Sequence, residues 1–141
     1  MKKRFLILLF LLWGCSVSPR FRSEPVYVGE TPLPAGVKVL ETQTGVASYY
    51  GKKFHGRPTA SGEIFDMYKL SAAHREYPLG TIVKVTNLKN DKWIVLKIND
   101  RGPFIKGRII DLSYAAAAGL EFIEEGTIKV KIEVLKWGKK K

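Results

Sequence analysis

Asp100 stands at the end of an apolar run, Trp93 to Ile98, and is followed at once by Arg101-Gly102-Pro103. A carboxylate placed at a strand end, ahead of a rigid turn, is presented by backbone chemistry: Gly102 can adopt φ > 0, and Pro103 holds φ at about −65°. Such a group suits proton transfer to a bond that is being broken. On local grounds a structural turn explains Asn-Asp-Arg-Gly-Pro equally well, because these are the commonest turn residues. Glu63, at the Ser61-Gly62 turn, is a second carboxylate whose alternative is a solvated turn acid. His74 ends the step Ala72-Ala73, a place where a lone histidine is more often a satisfied core or rim residue. His55 and His74 have no cysteine partner and no carboxylate at metal-ligand spacing, so neither a metal nor a cofactor is expected.

The elements that must position these groups are short β-type runs separated by turn residues, the pattern of a small sandwich or barrel. Val46–Tyr50 is a first strand closed by Gly51, and Thr81–Asn87 is a second. Leu88-Lys89-Asn90-Asp91 turns the chain into Lys92–Asn99, which predicts a hairpin ending at Asp100. Ile128, Val130, Ile132 and Val134 alternate with Lys129, Lys131 and Glu133, the period of a half-buried antiparallel strand. One helix interrupts the strands, with Ser113 as N-cap, Tyr114–Ala118 as its body and Gly119 at its C-terminal end.

The chain has 141 residues and a formal charge of +11, enough for one domain. Its start, Met1-Lys2-Lys3-Arg4 followed by Phe5 to Trp13, has the cationic and apolar parts of an export signal and is too short to span a bilayer. Leu12-Trp13-Gly14-Cys15 resembles the bacterial lipobox, with Trp13 where that motif usually has a small residue. The resemblance implies a signal peptide over 1–14 and a lipid-modified Cys15, and Ser16 in place of an aspartate favours an outer membrane. Cys15 is the chain's one cysteine, so no disulfide is expected. Residues 15–44 carry Pro19, Pro25, Pro32 and Pro34 and predict a flexible tether, to which Val37–Leu40 can add an edge strand. The β domain then runs over 45–135, and 136–141 is a basic tail. Loss of Lys2, Lys3 and Arg4 lowers the basic count from 24 to 21 against 13 acids, a charge of +8. Export makes nucleic acid a poor partner for that charge and an anionic wall polymer or lipid head group a better one.

Three segments in fixed order carry a more specific signal. They are Gly45–Gly51 with Phe54–Met67, Leu70–His74 with Pro78–Thr81, and Asn99–Phe104 with Arg108–Ser113. Together they resemble the rare lipoprotein A (RlpA) family over essentially all of 45–135. The resemblance implies a mostly-β fold, a six-stranded double-psi β-barrel of the barwin and expansin type with one or two short helices. It also implies a lytic transglycosylase that cleaves peptidoglycan glycan strands, preferring those without stem peptides, and leaves 1,6-anhydromuramic acid ends. Asp100 matches the family's catalytic acid, and Glu63 and His74 match the other polar positions of its site. His74 is expected to orient Asp100 by a hydrogen bond. Tyr50, Asp66 and Arg101 are expected on the substrate side, and Asp111 is expected to hold the loop. An ion pair with Arg101 would oppose proton donation, so Arg101 should point away from Asp100, toward substrate or Asp111. Many family members append a second peptidoglycan-binding domain, and none is expected within these 141 residues. The alternative from another class is a non-catalytic, expansin-like glycan-binding and wall-loosening lipoprotein.

Overall fold

The computed structural model describes residues 28–29, as backbone, and 33–140. The expected signal peptide and Cys15 lie outside the described residues. The elements are β1 (Val28–Gly29), β2 (Glu41–Tyr49), a 3₁₀ turn η1 (Lys52–Phe54), β3 (Ser71–Ala73), β4 (Ile82–Asn87), β5 (Trp93–Asp100), β6 (Arg108–Leu112), α1 (Tyr114–Gly119) and β7 (Thr127–Lys136). Strands β2 to β7 close into a ring in the order β5-β3-β6-β2-β7-β4 and back to β5, so the six expected barrel strands are all present. Closure leaves no long free edge, which a small all-β domain must otherwise protect. β1 pairs antiparallel with β5 through Val28–Ile94 and Gly29–Trp93.

Two pairings in the ring are parallel, β2 with β6 and β3 with β5, and each contains a register shift. The shifts fall between Val46 and Ala47 and between Ala72 and Ala73. Bulges of this kind bend a strand and re-aim the side chains that follow. The second shift sets Ala73 opposite Asp100, so the strand-end carboxylate emerges where the ladder is irregular. At the first, a Cβ on Gly45 would come within 2.8 Å of the Ile109 side chain. Glycine there lets β2 and β6 approach.

The barrel interior is filled by Ile94, Leu96 and Ile98 of β5, Ile110 and Leu112 of β6, Val83 and Val85 of β4, and Val130, Ile132 and Val134 of β7. The alternation along β7 is the predicted one. Helix α1 has the expected body and cap: Ser113 Oγ accepts from Ala116 N, and Ala116 and Ala117 are fully buried. Small side chains let this helix pack closely against the barrel end. Its exit uses Glu121, at φ 60°, as the left-handed residue, with Gly119 inside the helix.

The first barrel strand differs from the sequence expectation. It begins at Glu41 and not at Val46, because Glu41–Thr44 pair with Lys131–Val134 of β7. Four of the residues read as tether are therefore barrel. Their polar side chains gave no apolar alternation to signal a strand, and the backbone ladder holds them. Val37–Leu40 form no strand, although Leu40 N donates to Val134 O at 2.8 Å and prolongs the ladder by one bond.

Candidate active site

Asp100 is the last residue of β5, and its two carboxylate oxygens have different surroundings. Oδ1 accepts two backbone hydrogen bonds, from Ala60 N and Arg101 N, both at 2.9 Å. Oδ2 accepts from the Tyr50 hydroxyl at 2.9 Å. The two amides are fixed donors, whereas a phenol can turn and either donate or accept. Burial, then the nearby Asp100, pushes the Tyr50 phenol far up, so it keeps its proton throughout the working pH range. Tyr50 was expected on the substrate side; the structure places its hydroxyl on Asp100 and its ring against Phe65 (4.8 Å) and Phe54 (5.5 Å).

The turn that supplies Ala60 N is itself tied down. Thr59 N donates to Glu63 O, Gly62 N to Thr59 O, and Ser61 N to Asn99 O at 3.1 Å. Glu63 is thereby carried beside the end of β5. Its carboxylate meets Lys97 Nζ at 2.8 Å, both side chains being about half exposed. The Lys97 hydrogen bond, foremost, holds Glu63 below the usual carboxylate range, with further hydrogen bonds from Asn99 and Ser61. Two carboxylates at one strand end thus have unlike partners: a cation for Glu63, neutral donors for Asp100.

His74 does not make the expected hydrogen bond to Asp100. Its backbone N–H donates to the Asp100 carbonyl at 3.1 Å, but the imidazole turns inward and is 3 % exposed. Nε2 donates to Gln43 Oε1 at 2.9 Å, and Nδ1 accepts from the amides of Glu76 and Tyr77 at 3.1 Å. The ring stacks on Tyr77 at 3.7 Å. Burial, with Arg75 and Arg101 nearby, pushes its pKa down to about 4, so it is neutral and its tautomer is set by these partners.

Arg101 points away from Asp100 as expected, and not to Asp111. Its Nη1 donates to the carbonyls of Tyr77 (2.7 Å) and His74 (3.2 Å), closing the loop after β3. Asp111 accepts from Ser48 Oγ and lies 3.8 Å from Arg108 Nε, which ties β6 to β2 and agrees with a structural role. Asp66 accepts from Tyr68 N at 2.9 Å and lies 4.0 Å from His55 Nδ1. These are turn contacts, and the structure gives Asp66 no contact with Asp100. Sequence reasoning missed Lys97, Gln43 and the backbone of Ala60. Lys97 left a trace, a lone cation inside the apolar run Trp93–Ile98.

Asp100, Tyr50 and Arg101 are half-buried, and Ala60 is exposed. The hollow between Leu33, Pro34, Trp93 and Leu135 and that between Glu41, Tyr77 and Trp137 both lie away from Asp100. Close to it, Phe104 is 82 % exposed, with its ring 3.7 Å from where a Cβ on Gly102 (φ +131°) would sit. Phe54, Ile64, Tyr68 and Ile105 are also exposed. A partly buried carboxylic acid at a strand end, with the exposed ring of Phe104 four residues on, suits an extended polymer better than an engulfed small molecule. Among the described residues no group of three or more His, Cys, Asp or Glu is placed to hold a metal ion.

Comparison with known proteins identifies the family and the fold. Residues 42–132 match the family model described as lytic transglycolase. The chain is 56% identical over 94 residues to a Vibrio cholerae protein named endolytic peptidoglycan transglycosylase RlpA, an alignment covering 67% of this chain and 36% of that one. The chain thus spans little more than a third of the length of this relative. Among solved structures, the Streptomyces papain inhibitor superposes with a TM-score of 0.57 at 22% identity, over 71% of this chain and 99% of that one. The expansin of Clavibacter michiganensis gives 0.55 at 18% identity, over 71% and 53%. These two show the fold alone, the double-psi β-barrel. The family match over the whole barrel, with the three motifs that build the Asp100 site, places this chain in the RlpA family of lytic transglycolase domains.

Proposed function

We propose that this chain is a lytic transglycosylase that cleaves peptidoglycan glycan strands, preferring strands without stem peptides, and leaves 1,6-anhydromuramic acid ends. The observation that carries the reading is the unequal pair of oxygens on Asp100. Two fixed amides occupy Oδ1, so a proton on this carboxyl sits on Oδ2, where the Tyr50 hydroxyl can turn from donor to acceptor. From Oδ2 the proton passes to the glycosidic oxygen as the bond from C1 breaks. The C6 hydroxyl of the same muramic acid then attacks C1, and its proton goes to the Asp100 carboxylate, which restores the acid. One carboxyl suffices because no water has to be activated. Glu63, kept ionised by Lys97, supports the positive charge that develops at C1.

The exposed Phe104 and Tyr68 favour a second reading, a non-catalytic glycan-binding and wall-loosening module like the expansins, since such rings offer faces to sugars. Incubating the full chain with peptide-free glycan strands separates the two. New chain ends support the transglycosylase, and binding without new ends supports the module.

For location, the support lies in the basic, apolar leader and Leu12-Trp13-Gly14-Cys15. They favour a lipid anchor at Cys15 on the extracytoplasmic side of a membrane, the outer one in a cell that has two. Acyl mass on Cys15, lost in Cys15→Ala, is the expected result; an unmodified cysteine in the exported protein contradicts it.

A further inference from the structure

Lys53 and Arg57 flank the ring of Phe54, with Lys53 Nζ 5.2 Å and Arg57 Cζ 5.9 Å from its centroid. The turn that presents them is fixed by its own backbone. Phe54 N donates to Gly51 O, His55 N to Lys52 O and Arg57 N to Phe54 O, while Phe65 N donates to Arg57 O and Gly56 N to Phe65 O, both at 2.8 Å. Phe54 in turn lies 5.5 Å from Tyr50, whose hydroxyl is on Asp100. Two cations are therefore held on an aromatic face one side chain away from the group that reads as the acid.

Some cations elsewhere on the barrel are paired with carboxylates, and among the described residues others, such as Lys52, Lys69 and Lys106, are not. Lys84 lies within 3.7 Å of Glu133, Lys89 within 3.4 Å of Glu125, and Lys97 within 2.8 Å of Glu63. Lys53 and Arg57 have no carboxylate within 4.0 Å among the described residues and instead rest on a ring. A cation over an aromatic face keeps its N–H groups free, and the planar fork of arginine matches a carboxylate with two parallel hydrogen bonds.

We propose that Lys53 and Arg57, seated on Phe54, form a carboxylate-binding subsite beside Asp100 that takes the lactyl group of muramic acid in its free, anionic form. This rests on the glycan-cleaving reading and adds to it a chemical basis for choosing among strands. The lactyl group ends in a carboxylate when no peptide is attached and in a neutral amide when one is. A pair of cations beside the ring tells these apart by charge, whereas a site lined only by rings and hydroxyls does not.

The test offers the full chain two sets of glycan strands, one with free lactyl carboxylates and one with the same carboxylates converted to methylamides, and measures Kd for each by calorimetry. The carboxylate strands are expected to bind about tenfold or more tightly, the scale of a charged hydrogen-bonded pair, with an advantage that shrinks as salt rises. Lys53→Met with Arg57→Met should erase the difference, Lys53→Arg with Arg57→Lys should keep most of it, and Arg57→Glu alone should reverse the order. Equal binding of both strands by the unmodified chain, binding of neither, or a difference that survives double neutralisation overturns the subsite. Discrimination in binding without any new chain ends would remove the transglycosylase reading and leave the subsite standing.

Discussion

Asp100 and His74 lie next to one another across the β3–β5 junction, joined by the bond from His74 N to Asp100 O, yet their side chains face opposite worlds. The imidazole is buried, both its nitrogens are satisfied and its ring is stacked. The carboxylate is only partly buried, and one of its oxygens meets nothing more rigid than a phenol hydroxyl. Matching a family's polar positions therefore does not give two residues the same kind of task. Oδ2 of Asp100 is left to a single side-chain hydroxyl, whereas both ring nitrogens of His74 are taken, and the visible effect of His74 is to hold the loop on which Arg101 closes.

The sharpest way to break this contrast is to remove the labile proton. Asp100→Asn keeps an acceptor for Ala60 and Arg101 and a group for Tyr50, so strand binding should persist while turnover falls by about 10³-fold or more. A variant that still turns over at the normal rate removes Asp100 from the mechanism.

Next in size is the charge on Glu63. Glu63→Gln should cost about 10²-fold in turnover, the scale of a charge-stabilising group. Lys97→Met should cost less at neutral pH but move the acidic limb of the pH–rate profile to higher pH, because the lysine is what keeps Glu63 ionised in acid. Lys97→Arg should restore the limb. An unmoved limb in Lys97→Met would mean that Glu63 does not govern it.

The smallest expected effect on chemistry, and the clearest on stability, belongs to His74. Its folded pKa of about 4 lies below its ordinary 6.5, so between these values the unfolded chain binds the proton more readily. The stabilisation is complete above about pH 6.5 and is lost as pH falls toward 4, by about 3 kcal/mol in all. Thermal melts across that window should show a slope in the unmodified chain that flattens in His74→Gln. An equal slope in both would assign the acid sensitivity to other groups.

Much of the barrel was legible because its signals are local. β7 alternates at period two, the β4–β5 hairpin is marked by Leu88–Asp91, and Ser113 caps α1 where capping chemistry predicts. What escaped depends on partners far apart in sequence. Gln43 meets His74 across 31 positions, from a stretch whose polarity resembled a tether, and Tyr50 meets Asp100 across 50. Asp100 itself was legible from the strand end and turn, but the direction of the His74 ring was not. No local pattern shows which way a side chain turns when both the core and the surface lie within its reach.

The central claim is that a muramic acid hydroxyl, and not water, attacks C1. An internal hydroxyl can reach an effective molarity of about 10⁵ M or more, well above that of water, if the barrel holds the ring so that the hydroxyl faces C1. Cleavage of peptide-free strands by the full chain in ¹⁸O-labelled water tests this directly. The account predicts products that end in 1,6-anhydromuramic acid, carry no heavy oxygen and are lighter by one water than hydrolytic ends. Reducing ends bearing ¹⁸O would contradict it.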